Sequence, residues 1–108
     1  MSGERDFDRA MRQLYLDARD AGYNATYFVR MLNELGGVLT AKRLVGSTQP
    51  SDGFTRLWEM DRLELSVEAL VLDAKWRTLF SDIERGAARR RLMEYGWRDE
   101  SRQSHKGV

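Results

Sequence analysis

Apolar residues recur along this chain at helical spacing, in stretches divided by glycine, serine, asparagine and aspartate. Phe7, Met11, Leu14, Ala18 and Ala21 fall on one stripe, with Ala10 and Tyr15 beside it. That 3.6-residue rhythm predicts an amphipathic helix, capped by Asp6 and running to about residue 21. Gly22 suits the left-handed position that ends it. Asn24 is placed to cap a second helix, in which Phe28, Met31, Leu32 and Leu35 repeat at i, i+3, i+4 and i+7. Gly36 and Gly37 stop that helix.

A short third helix is expected over about 38–45, with Val38, Ala41, Leu44 and Val45 as its apolar set and Gly46 closing it. The loop that follows, 47–53, holds the only proline, Pro50. Three serines then precede three apolar runs. Ser51 precedes Phe54, Leu57 and Trp58; Ser66 precedes Val67, Leu70 and Val71; Ser81 forms a capping-box pattern with Glu84. Helices are predicted over about 52–60, 67–72 and 82–95, the last ended by Gly96. Leu63-Glu64-Leu65 alternates and reads as one extended turn, but there is no second strand-like segment for it to pair with. Residues 73–80 read as a linking turn that plants Trp76, Leu79 and Phe80. Most of the aromatic group Tyr27, Phe54, Trp58, Trp76 and Phe80 is expected in the core, whereas Trp97 either packs back on the last helix or stands exposed. The fold class is therefore all-α, a compact single-domain bundle of five to six short helices over 1–97. Residues 98–108 are polar and expected to be disordered, having little to bury against their ordering entropy.

Composition narrows the function classes. The 108 residues suffice for one domain, and the 42% apolar share is ordinary for a globular chain. With no cysteine there is no disulfide framework, thiolate zinc site or cysteine nucleophile. Eighteen basic against 17 acidic residues leave a net charge of +1, which gives no global pull toward nucleic acid or membrane. No apolar run approaches the roughly 20 residues needed to span a bilayer. The polar start of the chain lacks a signal-peptide core, so a cytoplasmic location is expected.

Chemistry-bearing residues are sparse. The only histidine, His105, lies in the polar tail with nothing nearby to orient it. Asp61 with Glu64 and Glu68, or Asp17 with Asp20, has carboxylate spacing that suits a hard cation, but such spacing is common on solvated helix faces. No cofactor and no metal are expected. Basic residues concentrate in the last third: Arg85, Arg89, Arg90, Arg98, Arg102 and Lys106 are candidates for phosphate contacts. The third and fourth helices follow one another in the order of a helix-turn-helix, yet the connection is long for one and the outward residues Thr55, Arg56 and Glu59 make a weak reading face. Arg91 falls with Ile83, Ala87, Ala88 and Tyr95 on the inward stripe of the last helix and needs a carboxylate from Glu84, Glu64 or Glu68, with Glu84 on the same stripe. The candidate interaction surface is Arg85, Arg89, Arg90, Trp97 and Arg98, and the expected structural ion pair is Arg91 with Glu84.

Several strings then resemble a family of small bacterial helical proteins without an assigned function. They are Tyr23-Asn24-Ala25-Thr26, Met31-Leu32, Gly36-Gly37, Ser51-Asp52-Gly53-Phe54, Leu57-Trp58, the run from Arg62 through Leu72, Leu79-Phe80-Ser81, Glu84 and Ala88-Arg89-Arg90-Arg91-Leu92. The resemblance covers about 22–95. It implies an all-helical single domain and a bacterial or phage source, and it brings no reaction, cofactor or site. The expected function is a non-enzymatic binding or adaptor module acting through a protein partner, in a defence or mobile-element setting by association alone. The alternative is a nucleic-acid-binding regulator using the C-terminal arginines.

Overall fold

Three serine side chains set the starts of three helices. Ser51 Oγ accepts the Phe54 N–H at 3.0 Å and opens α4, Asp52–Glu59. Ser66 Oγ accepts the Ala69 N–H at 3.1 Å and opens α5, Val67–Leu72. Ser81 and Glu84 close a reciprocal capping box at the head of α6, Asp82–Glu94. Before these come α1, Ser2–Asp20; α2, Thr26–Leu35; and α3, Gly37–Gly46. The computed structural model describes residues 2–97, so the expected disorder of 98–108 lies outside the described residues. The architecture is an all-α single-domain bundle.

Helix ends repeat one device. At Gly22 (φ 112°), Tyr23 N–H reaches Ala18 O and Gly22 N–H reaches Arg19 O. At Gly96 (φ 84°), Trp97 N–H reaches Leu92 O and Gly96 N–H reaches Met93 O. Both are Schellman closures. The third is built on Asp61 (φ 60°), the one described non-glycine residue with positive φ, with Arg62 N–H on Leu57 O and Asp61 N–H on Trp58 O.

Five local expectations are corrected. Asp6 is no cap: α1 starts at Ser2, because Glu4 already favours the positive end of the helix and no apolar face is needed there. Asn24 does not cap α2; Ala25 holds that position, and Asn24 Oδ1 accepts the Tyr15 hydroxyl at 3.1 Å instead. Leu63–Leu65 winds into a 3-10 helix rather than an extended turn, which lets Leu63 enter the core. Ala74–Leu79 is also a 3-10 helix, and it buries Trp76. Gly36 both ends α2 and caps α3, whereas Gly37 is the first residue of α3.

The core has two parts joined by α1. Around Phe7 and Met11 gather Leu32, Val45, Val71, Trp76 and Phe80, with the Phe7 ring edge-on to Trp76 at 5.3 Å and to Phe80 at 5.1 Å. Around Ala18 gather Phe54, Leu57, Leu63 and Leu92. Gly37 lets α3 approach α1: a Cβ there would stand 2.8 Å from Asp8 Cα, and the Gly37 N–H donates to Asp8 Oδ1 at 2.9 Å. Among the described residues no helix is long and apolar enough to cross a membrane.

Three large side chains expected inside are outside. Tyr27 is 67% exposed, Trp58 46% and Ile83 84%. Trp58 rests edge-on against Tyr95 at 5.3 Å, at the margin of the second cluster. On α6, counting about 100° per residue, the inward arc is Glu84, Ala88, Arg91, Leu92 and Tyr95, and Ile83 lies about 130° from its centre.

Candidate binding cleft

Segments far apart in sequence enclose a cleft of about 360 Å³. Its walls are apolar: Leu14 and Ala18 from α1, Phe28 and Met31 from α2, Phe54 and Leu57 from α4. Tyr15, Tyr23 and the exposed Tyr27 form the rim. Buried Ser66 and Glu68 form the floor. Among the described residues, the charged side chains lining it are the carboxylates Asp52 and Glu68. Its volume falls at the low end of ligand pockets, about 300–1,000 Å³.

The floor is held from behind by Arg91. Its Nη1 donates to Glu68 Oε2 at 2.9 Å and to Leu44 O at 3.1 Å, and its Nη2 donates to Ser47 O. One guanidinium therefore meets the carboxylate in the first turn of α5 and two carbonyls at the end of α3. Helix polarity favours both contacts. Arg91 thus pairs with Glu68 and not with Glu84, which corrects the expected ion pair. Glu84 accepts the Ser81 N–H and the Lys42 ammonium, the latter at 2.9 Å, because its place in the capping box aims it toward α3. Burial pushes the Glu68 carboxyl above its ordinary value, and the Arg91 bond offsets this only in part. Burial alone would raise Glu84 too, but the Ser81 N–H and the Lys42 ammonium outweigh it and hold that carboxyl below its ordinary value.

Of the expected interaction surface, Arg85, Arg89, Arg90 and Trp97 lie among the described residues. Arg85 turns inward: Nη1 donates to Val71 O at 2.8 Å and Nη2 to Leu72 O at 3.4 Å, capping the end of α5. Arg89 and Arg90 are exposed, and Trp97 is half-buried against the second cluster. Arg98, Arg102, His105 and Lys106 lie outside the described residues. Residues 47–51 separate α3 from α4, more than a tight helix-turn-helix connection. Among the described residues no three acidic or histidine side chains group to hold a metal ion. Glu64 pairs with Arg62 at 2.6 Å, and Asp17 accepts Gln13 Nε2 at 2.9 Å.

Sequence reasoning missed the cleft because no single segment carries it. The nearest signal was the buried-arginine argument, which named Glu68 among three partners for Arg91. In comparisons with known proteins, no family model, no curated protein and no solved structure matches the chain.

Proposed function

We propose that this chain is a binding module for a protein partner rather than a catalyst, and that the cleft seats a partner segment with an apolar anchor side chain beside a lysine or arginine. The observation that carries this reading is the lining itself, apolar walls with the exposed carboxylate of Asp52 beside them, the charge of Glu68 being taken by Arg91. Apolar walls reward burial of a large anchor residue, and the Asp52 carboxylate rewards a neighbouring cation and penalises an acidic one. Exposed Tyr27 at the rim offers contact area with few rotatable bonds. The buried ionisable groups serve the fold instead of chemistry, since Glu68 is bound by Arg91 and Glu84 by Lys42 and Ser81. The resemblance over about 22–95 supports a bacterial or phage source, and the defence or mobile-element setting rests on association alone.

Selection from a displayed random-peptide library tests it, with the protein and its Gly53→Trp variant as baits. A Cβ on Gly53 would lie 3.7 Å from Tyr23, an ordinary contact, so a large side chain there occupies the mouth without forcing the helix apart. Enriched peptides should share an aromatic or branched apolar residue next to Lys or Arg, and should lose binding to Gly53→Trp. Peptides rich in Asp or Glu, or equal binding to both baits, would defeat the reading.

A further inference from the structure

The outer face of α6 has a pattern that nothing within the described chain uses. Ile83 and Met93 are 84% and 65% exposed. Gly86 and the exposed Arg90 lie between them, and a Cβ on Gly86 would meet nothing within 4 Å. These four positions are spaced three, four and three residues apart. At about 100° per residue they share an arc of about 80°, which is the seam of a two-helix coiled coil. Turned antiparallel about a two-fold axis at residue 88, the seam complements itself. Ile83 meets Met93 of the second copy, and Arg90 lies over the notch at Gly86 of the second copy. Asp82 of that copy is exposed one turn, about 5.4 Å, beyond the notch, within reach of the guanidinium. The symmetry supplies each contact twice.

We infer that a second copy of this chain covers the outer face of α6, in an antiparallel pair with Ile83 against Met93 and Arg90 reaching Asp82. A parallel pair fails on the same residues, because it sets Arg90 against Arg90 and Gly86 against Gly86. A face three turns long buries less than the about 800 Å² per partner of a standard interface, so the pair forms at micromolar concentrations and not below.

The chain has no cysteine, so introduced thiols report the register cleanly. Ile83→Cys and Met93→Cys variants are mixed and gently oxidised. The mixed disulfide should predominate, because residues 83 of the two copies stand about 15 Å apart in the antiparallel register. Sedimentation of the unmodified protein at about 100 µM should approach twice the monomer mass, a concentration suited to interfaces of this size. Gly86→Trp should remain at the monomer mass and melt no earlier than the parent, and Arg90→Asp should weaken association at least tenfold. Self-linking by Ile83→Cys, or a monomer mass at every concentration, overturns the inference. Should Gly86→Trp melt early, Arg90→Asp decides alone, and undiminished association by that variant also overturns it.

Discussion

Arg91 Nη1 donates to Glu68 Oε2 across 2.9 Å, while the Glu68 side chain is only 3% exposed. A charge so placed is tolerable only because its counterion is fixed, and Arg91 is fixed in turn by the carbonyls of Leu44 and Ser47. The contact ties α3, α5 and α6 together behind the cleft floor.

Arg91→Ala should cost about 3–5 kcal/mol of unfolding free energy in a urea titration, because it leaves a buried carboxylate uncompensated. Adding Glu68→Leu should recover most of that loss, since an apolar pair removes the orphaned charge. Arg89→Ala, on the exposed face, should stay within about 0.5 kcal/mol. Equal effects of the two alanine variants would contradict the assignment.

Two glycines should respond in opposite directions. Gly37→Ala drives a Cβ against the Asp8 backbone and should cost about 1–3 kcal/mol, as overpacking does. Gly86→Ala meets open space in mid-helix and should gain about 0.5–1 kcal/mol in dilute protein. Thermal melts of both variants measure the contrast.

Asp61 holds φ at 60°, where a side chain is strained and glycine is not. Asp61→Gly should therefore stabilise by about 0.5–1 kcal/mol, read as a rise in Tm of a few degrees. A fall in Tm would show that the aspartate side chain itself supports the turn.

Stability should depend on pH through two carboxyls of opposite sign. Glu68 has a raised folded value, so the folded state holds its proton longer; its contribution is full below the ordinary Glu value and is lost as pH rises through the folded one. Glu84 has a lowered folded value, so its contribution is full above the ordinary value and is lost as pH falls through the folded one. As pH rises from the ordinary Glu value through the raised folded one, the stability of Glu68→Gln should therefore improve relative to the parent. Below the ordinary Glu value, the advantage of the parent over Glu84→Gln should shrink. Denaturant midpoints at each pH check both signs.

Local chemistry made much of the fold legible. Ser51, Ser66 and Ser81 open helices because a side-chain oxygen must meet a free N–H, and Gly22 and Gly96 close them because the last turn needs positive φ. Asp61 closes α4 in the same way without glycine, since aspartate enters the left-handed region more readily than most side chains. Ile83 and Trp58 look like core by composition, yet their angular positions place them outside, and only packing decides which face of a short helix turns inward. Stripe position favours Glu84 over Glu64 and Glu68 as the partner of Arg91, and that choice fails because Glu84 is already held by Ser81 and Lys42, which leaves Glu68 to the arginine. The cleft was illegible for the same reason: its walls meet only after α1, α2 and α4 have packed.

The most direct test of the cleft as the partner's seat is an amide chemical-shift map of the labelled protein titrated with the best-selected cationic, aromatic-anchored peptide. Shifts should concentrate at Tyr23, Phe28, Phe54 and Glu68 and vanish in Gly53→Trp. Shifts confined to Arg89, Arg90 and Met93, with the cleft amides still, would contradict the account.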